Sequence, residues 1–154
     1  MGSPPGKEPS HEEPPMSDHV RALLAAYDRI PVVACRRLCS DSCTIAPYSS
    51  LEGSRMLAYS GKRRIGHSES TLRALGRAGS VEELAGLMPA CPLLRLDACT
   101  VHPVRPLICR LYGASEDLPC PHGCEVTPRP LTSEETRALV REVGDIADAW
   151  EAGR

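Results

Sequence analysis

Near the N-terminal end, hydrophobic residues recur at the three- and four-residue steps of a helix. The apolar positions are Val20, Leu23, Leu24 and Tyr27. Either Ser17 or Asp18 can cap the first turn, and Pro31 cannot continue a helix. The pattern therefore predicts an amphipathic helix over about residues 18–29.

The clearest hydrophobic pattern lies at the C-terminal end. Its apolar positions are Leu139, Val140, Val143, Ile146, Ala147 and Trp150. Thr132 and Glu135 have the spacing of a capping box, and Gly153 follows the last apolar residue. We therefore predict a helix over about residues 133–151, with one apolar face that covers the centre of the molecule.

Between these two helices, turn residues interrupt the pattern. Residues 44–66 contain one proline and three glycines, so we expect an irregular segment there. Two short helices are predicted beyond it, over about residues 68–78 and 81–88. The second of them follows the capping pair Ser80 and Glu83.

The next segment combines short apolar runs with prolines. A short strand is predicted from Leu93 into Cys99, and a second one over residues 100–101. A short helix is then expected, with Pro106 at its first position and Cys109 one turn later. The sequence thus predicts short elements here, set by where the prolines fall.

Composition makes the cysteines the most unusual feature of the chain. The 154 residues include 8 cysteines and no phenylalanine, and aromatic residues make up only 3%. Residues 1–16 are rich in proline and predict a disordered tail, followed by one domain over residues 17–152. We expect a mainly α fold class with an irregular, loop-rich cysteine-cluster core, in which residues 114–130 are also loop. We therefore predict a small single domain with a metal centre in its core.

Charge and hydropathy argue against two classes of partner. The net charge of −2 weighs against a dedicated nucleic-acid binder. No run of about 20 apolar residues exists, so no membrane-spanning helix is expected. The N-terminal residues have no apolar core of a secretory signal, and we therefore expect a cytoplasmic protein.

In a reducing cytoplasm, clustered thiols are typical of metal ligands rather than disulfides. The alternative is that they are buried free thiols of a core. The cysteines fall into three sequence clusters: Cys35, Cys39 and Cys43; Cys91, Cys99 and Cys109; Cys120 and Cys124. All eight are candidate metal ligands, and His102 and His122 are possible additional ones. Eight thiols fit two zinc sites, or one 4Fe-4S iron–sulfur cluster with the other cysteines on zinc or free.

The middle cluster carries a more specific signal. In order, it contains Cys91-Pro92-Leu93-Leu94, Cys99-Thr100-Val101-His102, Arg105-Pro106 and Cys109-Arg110-Leu111-Tyr112. Over roughly residues 30–126 the chain resembles the YkgJ-type cysteine-cluster family, a zinc- or iron-chelating domain with a CxxCxxCC motif. The resemblance implies that Cys91, Cys99 and Cys109 are ligands together with cysteines of the first cluster. The first cluster departs from the motif, because three residues separate its cysteines and Thr44 follows Cys43.

The same motifs suggest a supporting role for two arginines. The Arg-Pro and Cys-Arg pairs favour Arg105 and Arg110 as donors of hydrogen bonds to sulfur, which would stabilise the negative charge of a thiolate site.

The sequence leaves three functions open. The first is a metal-binding protein that holds zinc or iron–sulfur through cysteine thiolates. The second is a metal-dependent modifying enzyme, since the resemblance extends to flagellin lysine methylases, although the chain has no Gly-rich phosphate loop. The third is a zinc-type nucleic-acid or protein adaptor, with a basic patch formed by residues 62–64, Arg73 and Arg77.

Overall fold

The structure is a computed structural model, and it describes residues 16–44, 46–62, 64–66 and 89–154. Apart from Met16, the predicted tail therefore lies outside the described residues. The same is true of the predicted helices over residues 68–78 and 81–88, and of Arg73 and Arg77 in the basic patch.

Helices dominate the described part of the chain. They are α1 (Asp18–Tyr27), α2 (Ser50–Ser60), α3 (Leu107–Leu111) and α4 (Ser133–Ala152). Two single turns of 3₁₀ helix, Ser40–Ser42 and His102–Val104, lie in the connections. This content agrees with the predicted mainly α fold class. No helix in the described ranges is long and apolar enough to cross a membrane.

The helices α1 and α4 confirm the two strongest hydrophobic patterns. The Ser17 side chain accepts a hydrogen bond from the Val20 N–H and so caps α1. Thr132 and Glu135 form a complete capping box at the start of α4. The two helices pack against each other. Around them lies the larger apolar cluster: Leu23, Ala26, Tyr27, Leu51, Leu107, Leu111, Leu139, Val143 and Ala147.

The prediction that residues 44–66 are irregular is wrong, because α2 occupies the middle of them. Ser49 and Glu52 form a capping box at its start, and Gly61 ends it with a φ of 64°. Gly53 is compatible with the helix because it lets the Tyr48 ring approach closely. A Cβ at that position would lie 2.9 Å from the ring. The glycine that suggested a loop therefore serves close packing against an aromatic ring.

Two short antiparallel pairs hold the connections. Strand β1 (Val32–Val33) pairs with β4 (Val126–Thr127), while β2 (Leu94–Arg95) pairs with β3 (Ala98–Cys99). The strand predicted into Cys99 is thus a hairpin, since residues 96 and 97 both have positive φ and reverse the chain. The second predicted strand, residues 100–101, is wrong: these residues form the turn that leads into the 3₁₀ helix.

A buried carboxylate joins the helices. Glu52 is only 4% exposed. Its oxygens accept hydrogen bonds from the Tyr27 hydroxyl, from the Leu107 N–H at 2.6 Å, and from the N–H and hydroxyl of Ser49. A buried acceptor is tolerated when it is fully hydrogen-bonded. One side chain therefore ties α1 to α2 and also caps α3, the helix that carries Cys109.

A smaller apolar cluster lies beside the first. It consists of Met56, Leu93 and Val101, with Ile65, Cys91, Cys99 and Val104 packed against it. The helix α2 therefore has two apolar contacts, with Leu51 in the larger cluster and Met56 in the smaller one.

Candidate metal centre

Tertiary pairing brings the first and last cysteine clusters together. The β1–β4 ladder pairs Val33 with Val126, and the Ala34 N–H donates to the Glu125 carbonyl at 2.9 Å. The backbone N–H of Arg36 then lies 3.5 Å from the Cys124 Sγ. The segments that follow β1 and precede β4 carry four thiols, which we name the outer group: Cys35, Cys39, Cys120 and Cys124.

A second contact separates Cys43 from its sequence neighbours and joins it to the middle cluster. Thr44 forms a bridge with Ala90, and the Cys91 N–H donates to the Cys43 carbonyl at 2.8 Å. The β2–β3 hairpin returns Cys99 to the same place, and α3 brings Cys109. We name these four thiols the inner group: Cys43, Cys91, Cys99 and Cys109.

The electrostatics of the outer group reflect this neighbourhood. Burial raises the pKa of the Cys39 thiol, and so do three nearby thiols. These neighbours are Cys35, Cys120 and Cys124. The pKa of Cys124 is lowered instead, first by the Arg36 backbone N–H and then by the Cys120 side chain. Hydrogen bonds from N–H groups favour the thiolate, so the surroundings of Cys124 promote its ionisation.

The inner group is more strongly perturbed. Burial raises the pKa of Cys43 to about 12, and its neighbours Cys91, Cys109 and Cys99 contribute to the rise. Burial also raises the pKa of Cys109 to about 11, again with Cys91 and Cys99 as contributors. Four thiols in one place cannot all ionise without a compensating cation, because each new thiolate repels the others.

The described residues do not contain a preformed metal-binding group: within them, no three His, Cys, Asp or Glu side chains converge closely enough to be one. The thiols are neighbours within each group, and all eight are free rather than joined in disulfides. The predicted core centred on metal is thus not shown. The donor set itself fits a thiophilic metal, since soft thiolates suit zinc, copper(I) and iron–sulfur clusters.

The two histidines differ in their surroundings. His122 lies in the outer group between Cys120 and Cys124, and its Nε2 is buried without a hydrogen-bond partner in the described part of the chain. A buried imidazole nitrogen with no partner is a natural metal donor. His102 is exposed, and its ring nitrogens face the Arg105 guanidinium instead, with Nδ1 at 2.9 Å. Burial and Arg105 lower the pKa of His102.

The arginines expected beside sulfur have other partners. Arg110 donates to the carbonyls of Arg105 and Pro103, at 2.9 and 2.8 Å, and its guanidinium lies 4.3 Å from the centre of the Tyr27 ring. Arg105 acts on the inner group through its charge, which lowers the pKa of Cys109 against the larger effect of burial. Arg110 therefore holds the loop that leads into α3.

Sequence reasoning missed the groups that do donate to sulfur. The Arg37 N–H lies 3.4 Å from the Cys35 Sγ, just as the Arg36 N–H approaches Cys124. Arg37 also has a φ of 57°, a left-handed conformation that residues other than glycine adopt rarely. The two arginines that follow Cys35 were the only sequence signal for these donors. A hydrogen bond from a backbone N–H does not depend on the residue type, so it cannot be predicted from the sequence.

Comparison with protein-family models, with curated proteins and with solved structures finds no match for this chain. The assignment of the site therefore depends on the residues themselves and on their surroundings.

Proposed function

We propose that this chain is a metal-binding protein whose cysteine thiolates hold metal in two sites, one at the outer group and one at the inner group. His122 is a further donor available to the outer site. The resemblance to the YkgJ-type family implies the same metal-binding function. We propose that family membership as well, and the metal analysis described below tests the function that it implies.

One observation carries the proposal. Cys43 is four residues from Cys39 in the sequence, yet the fold separates their thiols into different groups and supplies each with partners from distant segments. Cys39 gains Cys120 and Cys124, while Cys43 gains Cys91, Cys99 and Cys109. Four sulfur donors per group is the number that a tetrahedral zinc site or an iron–sulfur cluster uses.

Charge supplies the driving force. Burial and mutual repulsion hold the pKa values of Cys39, Cys43 and Cys109 above the usual range of a thiol. A coordinated metal ion reverses this balance, because it binds the thiolate and displaces the proton. Binding would therefore release protons and relieve the repulsion in the same step.

Metal analysis of anaerobically purified protein tests the proposal. Two four-sulfur zinc sites predict about two zinc ions per chain and a colourless protein. A brown protein with iron and acid-labile sulfide would identify an iron–sulfur cluster at one or both sites. Protein without metal, in which all thiols react freely while the fold persists, would contradict the proposal.

Paired variants locate the sites. Cys120→Ser with Cys124→Ser should remove the metal of the outer group, and Cys91→Ser with Cys99→Ser that of the inner group. Ser42→Ala is the matched control, since it changes an exposed residue beside Cys43 without removing a sulfur. Loss of all metal in both double variants would contradict two separate sites.

A further inference from the structure

We infer that the two thiol groups play different roles: the outer group is an exchangeable site that yields its metal to an external chelating acceptor, and the inner group is a retained, structural site. This inference depends on the proposed function and adds to it a separate role for each of the two metal sites.

The first support is the contrast in apolar cover. Cys91 and Cys99 pack against the cluster of Met56, Leu93 and Val101, each of which is at most 5% exposed. Cys109 lies on α3 between Leu107 and Leu111, two residues of the larger cluster. Three of the four inner thiols thus lie in or beside an apolar cluster. No cysteine of the outer group belongs to either cluster within the described residues.

The second support is the chain around the outer thiols. Cys35 is exposed, and so are Arg36 and Arg37, which follow it. On the other side of the site, Pro121 and Gly123 are exposed as well. Segments with exposed backbone and few apolar contacts open locally at low free-energy cost, whereas core elements open only with the whole fold.

The third support is the set of donors that remain when an outer thiolate leaves the metal. Backbone N–H groups of Arg36 and Arg37 lie beside the sulfurs of Cys124 and Cys35. Such N–H groups can donate hydrogen bonds to a released thiolate and hold it in place. The unpartnered Nε2 of His122 lies in the same group. The inner group has no comparable N–H donors to sulfur among the hydrogen bonds of the described residues.

For a zinc ion, the exchange is a substitution of ligands with no change of oxidation state. Each cysteine–metal bond that breaks is replaced by a bond from a carboxylate, amine or thiolate of the acceptor. The released cysteine thiolate is then held by N–H groups or takes up a proton from water. No oxidant or reductant enters the balance.

The experiment follows the two groups separately in the wild-type chain. Protein of known metal content is mixed with EDTA in the presence of iodoacetamide, and mass spectrometry measures the alkylation of each cysteine with time. We expect the outer cysteines to be alkylated about tenfold faster or more, in step with release of the first metal. Equal rates for all eight thiols, or faster alkylation of the inner ones, would overturn the inference.

The failure of this inference is distinguishable from failure of the proposed function. Metal content measured before EDTA is added tests the proposed function alone, and protein without metal would end both. A protein that holds two metals and releases them together would leave metal binding intact and overturn the separate roles of the two sites. Because the comparison uses one wild-type chain, it does not depend on whether a cysteine variant folds.

Discussion

The helical region and the cysteine-bearing region are held together in different ways. The helices α1 and α4 bury continuous apolar faces against each other and end in hydrogen-bonded caps. In the cysteine-bearing region, strands β1 to β4 are two residues each, and large apolar side chains such as Val32 and Leu96 remain exposed. The helical region has its own apolar core, whereas the cysteine-bearing region is buried mostly by side chains of neighbouring elements.

This contrast indicates where extra stabilisation is needed. Ordering the backbone costs about 1–2 kcal/mol per residue, and apolar burial normally offsets that cost. The β2–β3 hairpin and the connection around Cys120 bury little apolar surface of their own. A bound metal would offset the cost by joining chain segments that hydrophobic contact alone holds weakly.

Metal removal should separate the two regions most strongly. Structural zinc supplies on the order of 10 kcal/mol of apparent folding free energy in small domains. Once chelation has removed both metals, we therefore expect fast hydrogen exchange at the amides of β1 to β4, while α1 and α4 keep their protection. Hydrogen exchange measured by mass spectrometry before and after EDTA gives the comparison. Equal loss of protection in both regions would show that they fold as one unit.

A core truncation should have the next largest effect. Leu111 is fully buried on α3 within the larger apolar cluster, two residues after Cys109. Leu111→Ala should lower the free energy of unfolding by about 2–5 kcal/mol, because it removes buried methyl groups and leaves a cavity. Leu96→Ala makes the same chemical change at a fully exposed position and should cost less than about 0.5 kcal/mol. Urea unfolding of both variants measures the difference, and similar losses would contradict the described packing.

Where local pattern decides the structure, the sequence predicted it. The pair Thr132 and Glu135 was recognised from its spacing and caps α4 as expected, and Ser17, one of two candidate caps, caps α1. The helix α2 was missed because the proline and glycines of residues 44–66 suggested a loop, and the capping pair Ser49 and Glu52 was not recognised. Gly53 is required there by the Tyr48 ring, which comes from outside the helix and cannot be found by periodicity.

The candidate site shows the same limit. The eight cysteines were predicted as ligand candidates, and that remains a prediction. Which thiols are neighbours depends on long-range pairing, Val33 with Val126 and Thr44 with Ala90, for which the sequence has no local signal. The partners of Arg110 were also out of reach of the sequence, since they are Tyr27 and two carbonyls in the fold, and its support of sulfur stays a prediction.

The hydrogen bonds to buried Glu52 allow a smaller contribution to the stability of the helical region to be measured. Burial and Glu52 raise the pKa of the Tyr27 hydroxyl. Tyr27→Phe removes one donor to Glu52 and should cost about 1–2 kcal/mol, the usual effect of a buried hydrogen bond to a charged or polar partner. Exposed Tyr59→Phe is the control. Because the pKa is raised in the fold, Tyr27 stabilises the protein below pH 10, and its contribution declines as pH rises above that value. Urea unfolding at pH 7 measures the cost, and no difference from the control would contradict the network.

The smallest effect is expected at the exposed cap of α4. The Arg129 guanidinium, at 2.8 Å, and the Thr132 N–H lower the pKa of Glu135 from 4.5 to about 2. A lowered pKa means that the cap stabilises the fold above pH 4.5 and that this contribution is lost as pH falls toward 2. Glu135→Gln should flatten the pH dependence of stability in that window, while Glu134→Gln, also exposed and one residue earlier, should leave it unchanged. Urea midpoints at a series of acidic pH values make the test. If both variants follow the wild-type curve, the pair is too well solvated to stabilise α4, and the helix depends on its buried face alone.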